Sequence, residues 1–126
     1  MPADDVEPDP EPIVSLEIPA PTESSREGPS KTWTLTANNK NVLRGWQELC
    51  QRIPENARRC YDWLREDPTR RIPGRCYELK YKHYAGAWCY EIGSGQRVYY
   101  KLRAEQRDVL VYYAGRHPIT VPYPPS

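Results

Sequence analysis

The chain has 126 residues, a length typical of one domain, with 14 prolines and a formal net charge of +1. It contains no apolar run near the roughly 18 residues that a membrane helix needs, and its first residues lack the basic start and apolar centre of a signal peptide. The sequence therefore predicts a soluble, cytoplasmic protein and argues against membrane and secreted classes.

The charge is divided unevenly along the chain. Residues 1–30 contain eight acidic residues and one basic residue, a formal charge of −7, whereas the rest contains 17 basic and 9 acidic residues, a charge of +8. The acidic, Pro-rich composition predicts a disordered tail over residues 1–30, followed by a folded domain over 31–126. In the tail, residues 13–18 form a short apolar run that could pair with a sheet edge or with a partner. A basic domain favours an anionic partner, nucleic acid first, although an ordinary solvated surface fits the same charge.

The domain is predicted to begin with a strand and two helices. Residues 32–36 alternate polar and apolar side chains, as in a strand. Asn38 or Asn39 offers an N-cap for a first helix, and Pro54 suits the first turn of a second helix. Apolar residues recur at helical spacing in both segments, at Val42, Leu43, Trp46, Leu49 and Cys50 and then at Ala57, Cys60, Tyr61 and Leu64. We expect a helical hairpin that packs across one face of a sheet.

Four more strands are predicted after the helices, over residues 75–82, 87–92, 97–103 and 108–114. Short turn segments separate the last three strands and predict an antiparallel meander. Alternation along residues 97–103 places Val98 and Tyr100 on one face and Arg97, Tyr99 and Lys101 on the other, so we expect one core face and one basic surface. The predicted fold is α+β, with an antiparallel sheet of four or five strands packed against the N-terminal helical hairpin.

The four cysteines show no CxxC spacing and are expected to be small core residues. A zinc site would have to combine Cys76, His83 and Cys89 with a fourth ligand, and these spacings match no common structural-zinc pattern. A disulfide between Cys76 and Cys89 is geometrically possible if their strands are neighbours, but the absence of an export signal argues against it.

From Trp33 to Pro118 the sequence resembles the RelE/ParE superfamily of bacterial toxins, and within it the RelE and YoeB type of messenger RNA endoribonuclease. The resemblance rests on the early tryptophan strand, the helical pair, the Glu-Leu-Lys strand at residues 78–80 and the Gly-x-Trp at 86–88. It also rests on Arg-Val-Tyr-Tyr at 97–100, where the family has an Arg-Leu-Val-Tyr signature, and on Ala-Gly-Arg-His at 114–117. It implies a RelE-like fold, a cognate antitoxin as partner, and cleavage of mRNA, on the ribosome or free of it.

The resemblance implies metal-independent cleavage with no cofactor, by attack of the ribose 2′-hydroxyl on the adjacent phosphodiester. This reaction needs a base, cations that stabilise the phosphorane, and an acid for the leaving oxygen. Arg97 matches the family's catalytic arginine, His117 its C-terminal histidine by region, and Glu78 lies on the strand that carries the general base in YoeB-like members. The residues expected to contact RNA are Lys80, Lys82, Arg116 and Tyr99.

Each of these residues also has a structural interpretation. Arg97 could be a surface arginine paired with a carboxylate such as Glu91, His117 could simply lie at the surface before Pro118, and Glu78 could be a solvated glutamate. A second functional class also stays open, in which the same fold is a non-catalytic binding module that acts on DNA gyrase, RNA or a protein partner.

Overall fold

The computed structural model describes residues 16–19, 33–80 and 82–125. Over these residues the protein is α+β, with two α-helices and an open six-stranded mixed sheet. The elements are β1 (Leu16–Glu17), β2 (Thr34–Ala37), α1 (Lys40–Arg52), α2 (Pro54–Glu66), β3 (Cys76–Glu78), β4 (Ala87–Gly93), β5 (Gln96–Arg103) and β6 (Asp108–Arg116). Within the described ranges, neither helix is long and apolar enough to cross a membrane.

The sheet has the strand order β1-β2-β6-β5-β4-β3. Strands β4 to β6 form the predicted antiparallel meander, and β3 pairs antiparallel with β4 at its edge. The expectation of a purely antiparallel sheet with four or five strands was wrong, because β2 runs parallel to β6 and β1 adds a sixth strand. The parallel pair arises because the two helices between β2 and β3 carry the chain across the sheet, which leaves β2 beside the last strand of the meander.

Both predicted helices are confirmed, and local signals explain their ends. The Asn39 side chain accepts a hydrogen bond from the Val42 backbone N–H at 2.9 Å, which is an N-cap. Pro54 occupies the first turn of α2, where its missing N–H costs nothing. One residue, Ile53, separates the two helices, so they form the expected hairpin on one face of the sheet.

The main core lies between this helical hairpin and the sheet. Trp46 from α1 and Leu64 from α2 are fully buried, together with Val98 and Tyr100 from β5. Helix α1 lies close to β6 at Gly45, where glycine leaves the necessary space. A Cβ added at this position would stand 2.2 Å from the Ala114 carbonyl oxygen. Since Val98 and Tyr100 both lie in this core, alternation predicted the core face of β5 correctly.

The segment 16–19 belongs to the sheet, which corrects the prediction of disorder for these four residues. Strand β1 pairs with β2, and Ile18, 1% exposed, belongs to the main core. The backbone N–H of Ile18 donates to the Leu35 carbonyl at 3.0 Å, and Trp46 Nε1 donates to the Pro19 carbonyl at 3.4 Å. The apolar run at residues 13–18 was thus a better guide here than the composition of the tail. The rest of the predicted tail lies outside the described residues.

The predicted strand at residues 75–82 is shorter than expected. Strand β3 ends at Glu78, and a single turn of 3-10 helix occupies Lys82–Tyr84. Only the first part of this segment lies beside β4, so the alternation that continues to Lys82 in the sequence does not correspond to continued pairing.

Candidate functional site

Arg97 lies near the start of β5 and binds to neighbouring backbone as well as to a carboxylate. Its Nη1 donates to the carbonyls of Gly93 at 3.1 Å and Gln96 at 2.9 Å, and its Nη2 lies 3.7 Å from Glu91 Oε1. The side chain is 13% exposed. The ion pair with Glu91, which the sequence left open as the structural interpretation, is therefore formed.

Glu91 is held in turn by Tyr77, whose hydroxyl donates to Glu91 Oε2 at 2.6 Å. Burial, followed by hydrogen bonding to Glu91, raises the pKa of Tyr77 above its ordinary value, so this hydroxyl keeps its proton and remains a donor even in alkaline solution. Burial also raises the pKa of the nearby Cys89 thiol to about 11, although the Arg97 charge acts in the opposite direction. Arg97 is thus the cation of a partly buried polar cluster made of Arg97, Glu91 and Tyr77.

His117 follows β6 and reaches the same turn between β4 and β5 that holds Arg97. Its backbone N–H donates to the Gly95 carbonyl at 2.8 Å, while its Nδ1 lies 2.9 Å from the Pro118 carbonyl. In the neutral ring, donation from Nδ1 to that carbonyl leaves Nε2 without a proton. Among the described residues, Nε2 has no hydrogen-bond partner, and the side chain is exposed. An imidazole in this state can accept a proton.

Glu78, the expected general base, lies on the opposite face of the sheet from Arg97. In the β3–β4 register Glu78 stands opposite Trp88, and Trp88 faces the helices. Arg97 shares its face with Tyr99, which pairs with Cys89 on the other side. Glu78 instead forms an ion pair with Arg71 at 2.7 Å. The parity of the strands therefore does not bring Glu78 and Arg97 together.

The face of the sheet opposite the helices is not the open basic surface that alternation predicted. It carries a second buried cluster, which contains Ala87, Cys89, Tyr99 and Tyr112. A bulge sets two residues of β6 against one residue of β5, so both Tyr112 and Tyr113 contact the Tyr99 ring, at 6.2 and 5.7 Å between centroids. Tyr99 is 3% exposed, and burial raises its pKa to about 12. Tyr99, which was expected to contact RNA, is therefore packed inside this cluster and is not exposed.

The other cations that were expected to contact RNA are exposed but scattered. Lys80 follows β3, Lys82 begins the 3-10 turn, and Arg116 ends β6 directly before His117. The Arg116 carbonyl accepts a hydrogen bond from the Tyr113 hydroxyl, which fixes the backbone at this point. Of the three, Arg116 is the one that adjoins the β4–β5 turn, so it is the cation that accompanies Arg97 and His117.

The cysteines are all free thiols, and their placement explains why. Cys76 lies in the main core on the helix side of the sheet, whereas Cys89 lies in the second cluster on the other side. Because the sheet separates them, they can neither form a disulfide nor share a zinc ion. Over the described part of the chain, no group of three or more histidine, cysteine, aspartate or glutamate side chains could hold a metal ion.

A groove of about 480 Å³ lies between α2 and the β3–β4 hairpin and was not foreseen. Arg70 stacks over the Trp63 ring there at 4.0 Å, and Trp63 meets Tyr90 edge to face. The lining mixes arginines with Asp62 and Glu66. Opposite charges in one groove favour neither an anion nor a cation, so its chemistry selects no ligand.

Sequence reasoning also missed the C-terminal strap, which we define as residues 118–125. The strap crosses the second face of the sheet and accepts hydrogen bonds from Tyr84, Lys101 and Tyr112. Its only sequence signal is four prolines in eight residues, which predicts an extended chain but not where that chain lies.

Comparison with known proteins finds no family model, no curated protein and no solved structure that matches this chain.

Proposed function

We propose that this protein is a cytoplasmic toxin of a type II toxin-antitoxin system, with a RelE-like domain that cleaves mRNA. One observation carries the proposal: the turn between β4 and β5 holds both Arg97, through the Gly93 and Gln96 carbonyls, and His117, through the Gly95 carbonyl. Arg97 and His117 thus lie at the same end of the sheet, Arg97 through its side chain and His117 through its backbone. The order of strand, helical pair and antiparallel meander supports the RelE-like packing.

In the proposed reaction, His117 Nε2 takes the proton from the ribose 2′-hydroxyl. The resulting oxygen attacks the adjacent phosphorus, and the bond to the 5′-oxygen breaks, which leaves a cyclic phosphate and a 5′-hydroxyl end. Arg97 and Arg116 stabilise the charge on the phosphorane oxygens, because a guanidinium can donate to two oxygens at once. The proton on His117 can then pass to the leaving oxygen. Glu78 has no part in this scheme, since it lies on the other face.

The ion pair between Arg97 and Glu91 does not prevent this role. The Arg97 and Glu91 side chains are 13% and 26% exposed and 3.7 Å apart, so the guanidinium needs a charged partner, and a phosphodiester would exchange one anion for another. A phosphodiester can therefore compete with Glu91 for the guanidinium. The two carbonyls that bind Nη1 keep the side chain in place during the exchange.

The second candidate is a non-catalytic binding module on the same fold. The bonds that already occupy Arg97, together with the placement of Glu78 on the opposite face, favour this alternative. Such a module would act by covering a site on gyrase, RNA or a protein, and it would leave RNA uncut.

The test is induced expression followed by mapping of RNA 5′ ends. We expect site-specific new ends, and a loss of about 100-fold or more in their rate of appearance for Arg97→Ala and for His117→Asn. Arg58→Ala is the matched control, because it removes the same charge from an exposed position on α2. All variants are compared at equal soluble expression, and their melting temperatures are measured to show that each variant is as stably folded as the parent.

Two results would contradict the proposal. If the protein inhibits growth without producing new RNA ends, the second candidate function, a non-catalytic binding module, is supported instead. If Glu78→Gln abolishes cleavage while Arg97→Ala spares it, the chemistry lies on the helix side of the sheet and the assignment of Arg97 and His117 is wrong.

A further inference from the structure

The strap binds to the sheet through its carbonyl oxygens. The Tyr84 hydroxyl donates to the Val121 carbonyl at 3.3 Å, and the Tyr112 hydroxyl donates to the Pro122 carbonyl at 3.3 Å. Lys101 Nζ donates to the Pro125 carbonyl at 2.9 Å. Two side chains of the sheet and one of the 3-10 turn therefore donate hydrogen bonds at successive points along the strap.

Aromatic stacking adds to these bonds. Tyr123 lies between two prolines and stacks on Tyr84, with ring centroids 5.1 Å apart and planes 20° from parallel. The same ring meets His83 edge to face at 6.0 Å. Tyr123 nevertheless remains 63% exposed, so the strap lies on the surface and is not part of the core.

We infer that this tyrosine groove, formed by Tyr84, Lys101 and Tyr112, is a docking site for a proline-rich peptide segment of a partner protein, and that the strap occupies it in cis. Proline has no backbone N–H but keeps its carbonyl, so a surface whose side chains can all donate hydrogen bonds suits a proline-rich chain. Such chains are already extended, which lowers the entropy lost on docking, and flat aromatic side chains pack against proline rings. The inference does not depend on RNA cleavage.

The strap and a partner peptide must compete for the groove. A tethered segment acts at an effective concentration of roughly millimolar, so a peptide with the same sequence should bind the unmodified chain only at millimolar levels. The absence of regular secondary structure in the strap and its exposed Tyr123 favour local release without unfolding of the sheet. Weakening the strap should therefore strengthen peptide binding.

The experiment uses the full-length chain and a fluorescent peptide with the sequence of residues 118–125, followed by anisotropy. We expect Tyr123→Ala to bind the peptide about threefold to tenfold more tightly than the parent, because the variant loses the stacking of its own strap on Tyr84. Ile119→Ala is the matched control within the strap, since Ile119 is fully exposed, and it should bind like the parent. Adding Tyr84→Ala to Tyr123→Ala should remove the gain.

A second measurement uses the unmodified chain and so does not depend on how the variants fold. In nuclear magnetic resonance titrations to about 10 mM peptide, resonances of Tyr84 and of β5 and β6 should shift and saturate, while those of α1 stay fixed. The inference is overturned if no saturable shift occurs. It is also overturned if a peptide with alanine at every proline binds equally well, if Tyr123→Ala binds no better than the parent, or if the gain accompanies dimer formation, which would mean that the groove takes the strap of a second copy.

Discussion

Ile18→Ala tests whether residues 16–19 are an integral part of the sheet. Ile18 is 1% exposed, its N–H donates to the Leu35 carbonyl at 3.0 Å, and the side chain packs in the main core. Truncation of a fully buried isoleucine to alanine typically costs about 2–5 kcal/mol of stability, because it removes apolar contacts and leaves a cavity.

The position of Ile18 sets an upper limit on this cost. Strand β1 has two residues and one neighbour, so the segment can separate from β2 while the rest of the domain stays folded. The measured loss cannot exceed the free energy of that separation. We therefore expect about 2–3 kcal/mol, at the low end of the range for buried isoleucine.

The assay is urea unfolding followed by tryptophan fluorescence. Trp46 is a local reporter, since its Nε1 donates to the Pro19 carbonyl. Glu17→Ala is the matched control in the same strand, because the Glu17 side chain is exposed, and its effect should stay within about 0.5 kcal/mol. A loss below about 0.5 kcal/mol for Ile18→Ala would refute the reasoning, because the segment would then contribute nothing to the fold.

Three further predictions concern the frame around the site. Asp108→Asn should lower the free energy of unfolding by about 1.5–3 kcal/mol in urea titrations, because the buried carboxylate accepts charge-assisted hydrogen bonds from Arg103. Gly45→Ala should lower the melting temperature in calorimetry despite the better helix propensity of alanine, because the added Cβ would collide with the Ala114 carbonyl oxygen. Burial raises the pKa of Tyr99 to about 12 in the folded chain, so the stability that this shift contributes is present below about pH 10 and is lost as pH rises toward 12. Absorbance at 295 nm and circular dichroism should therefore show ionisation of the buried tyrosines together with unfolding.

The helices could be predicted from the sequence because their signals are local. Asn39 and Pro54 mark the two starts within one turn of the residues that they affect. The parallel pairing of β2 with β6 depends instead on contacts between distant residues, since the Thr34 and Thr36 hydroxyls both donate to Asp108 at 2.7 Å. No residue near Thr34 in the sequence indicates that Asp108 is its partner, so periodicity alone could not predict the order of the strands in the sheet.

The candidate site could also be predicted only in part, because the placement of its residues depends on contacts between strands that are distant in the sequence. Alternation correctly put Arg97 opposite the core face of β5, and Glu91 was correctly named as its alternative partner. In any strand over residues 75–82, the neighbours Tyr77 and Glu78 point to opposite faces, but alternation does not determine which of the two shares a face with Arg97. That choice is made by the β3–β4 register, in which Tyr77 pairs with Cys89 and so lies on the Arg97 side.

The covering of both faces of the sheet restricts where a polyanion can meet this domain. The helical hairpin covers one face, and the second buried cluster, together with the C-terminal strap, covers much of the other. At the end of the sheet, the β4–β5 turn is exposed at its tip, and His117 and Arg116 flank it. An RNA backbone that binds there would first contact Arg116 and His117. It would contact Arg97 only after the ion pair between Arg97 and Glu91 opens. If the proposed function is correct, RNA affinity should depend on Arg116 and on salt concentration, and Arg97→Ala should reduce cleavage by a larger factor than it reduces affinity.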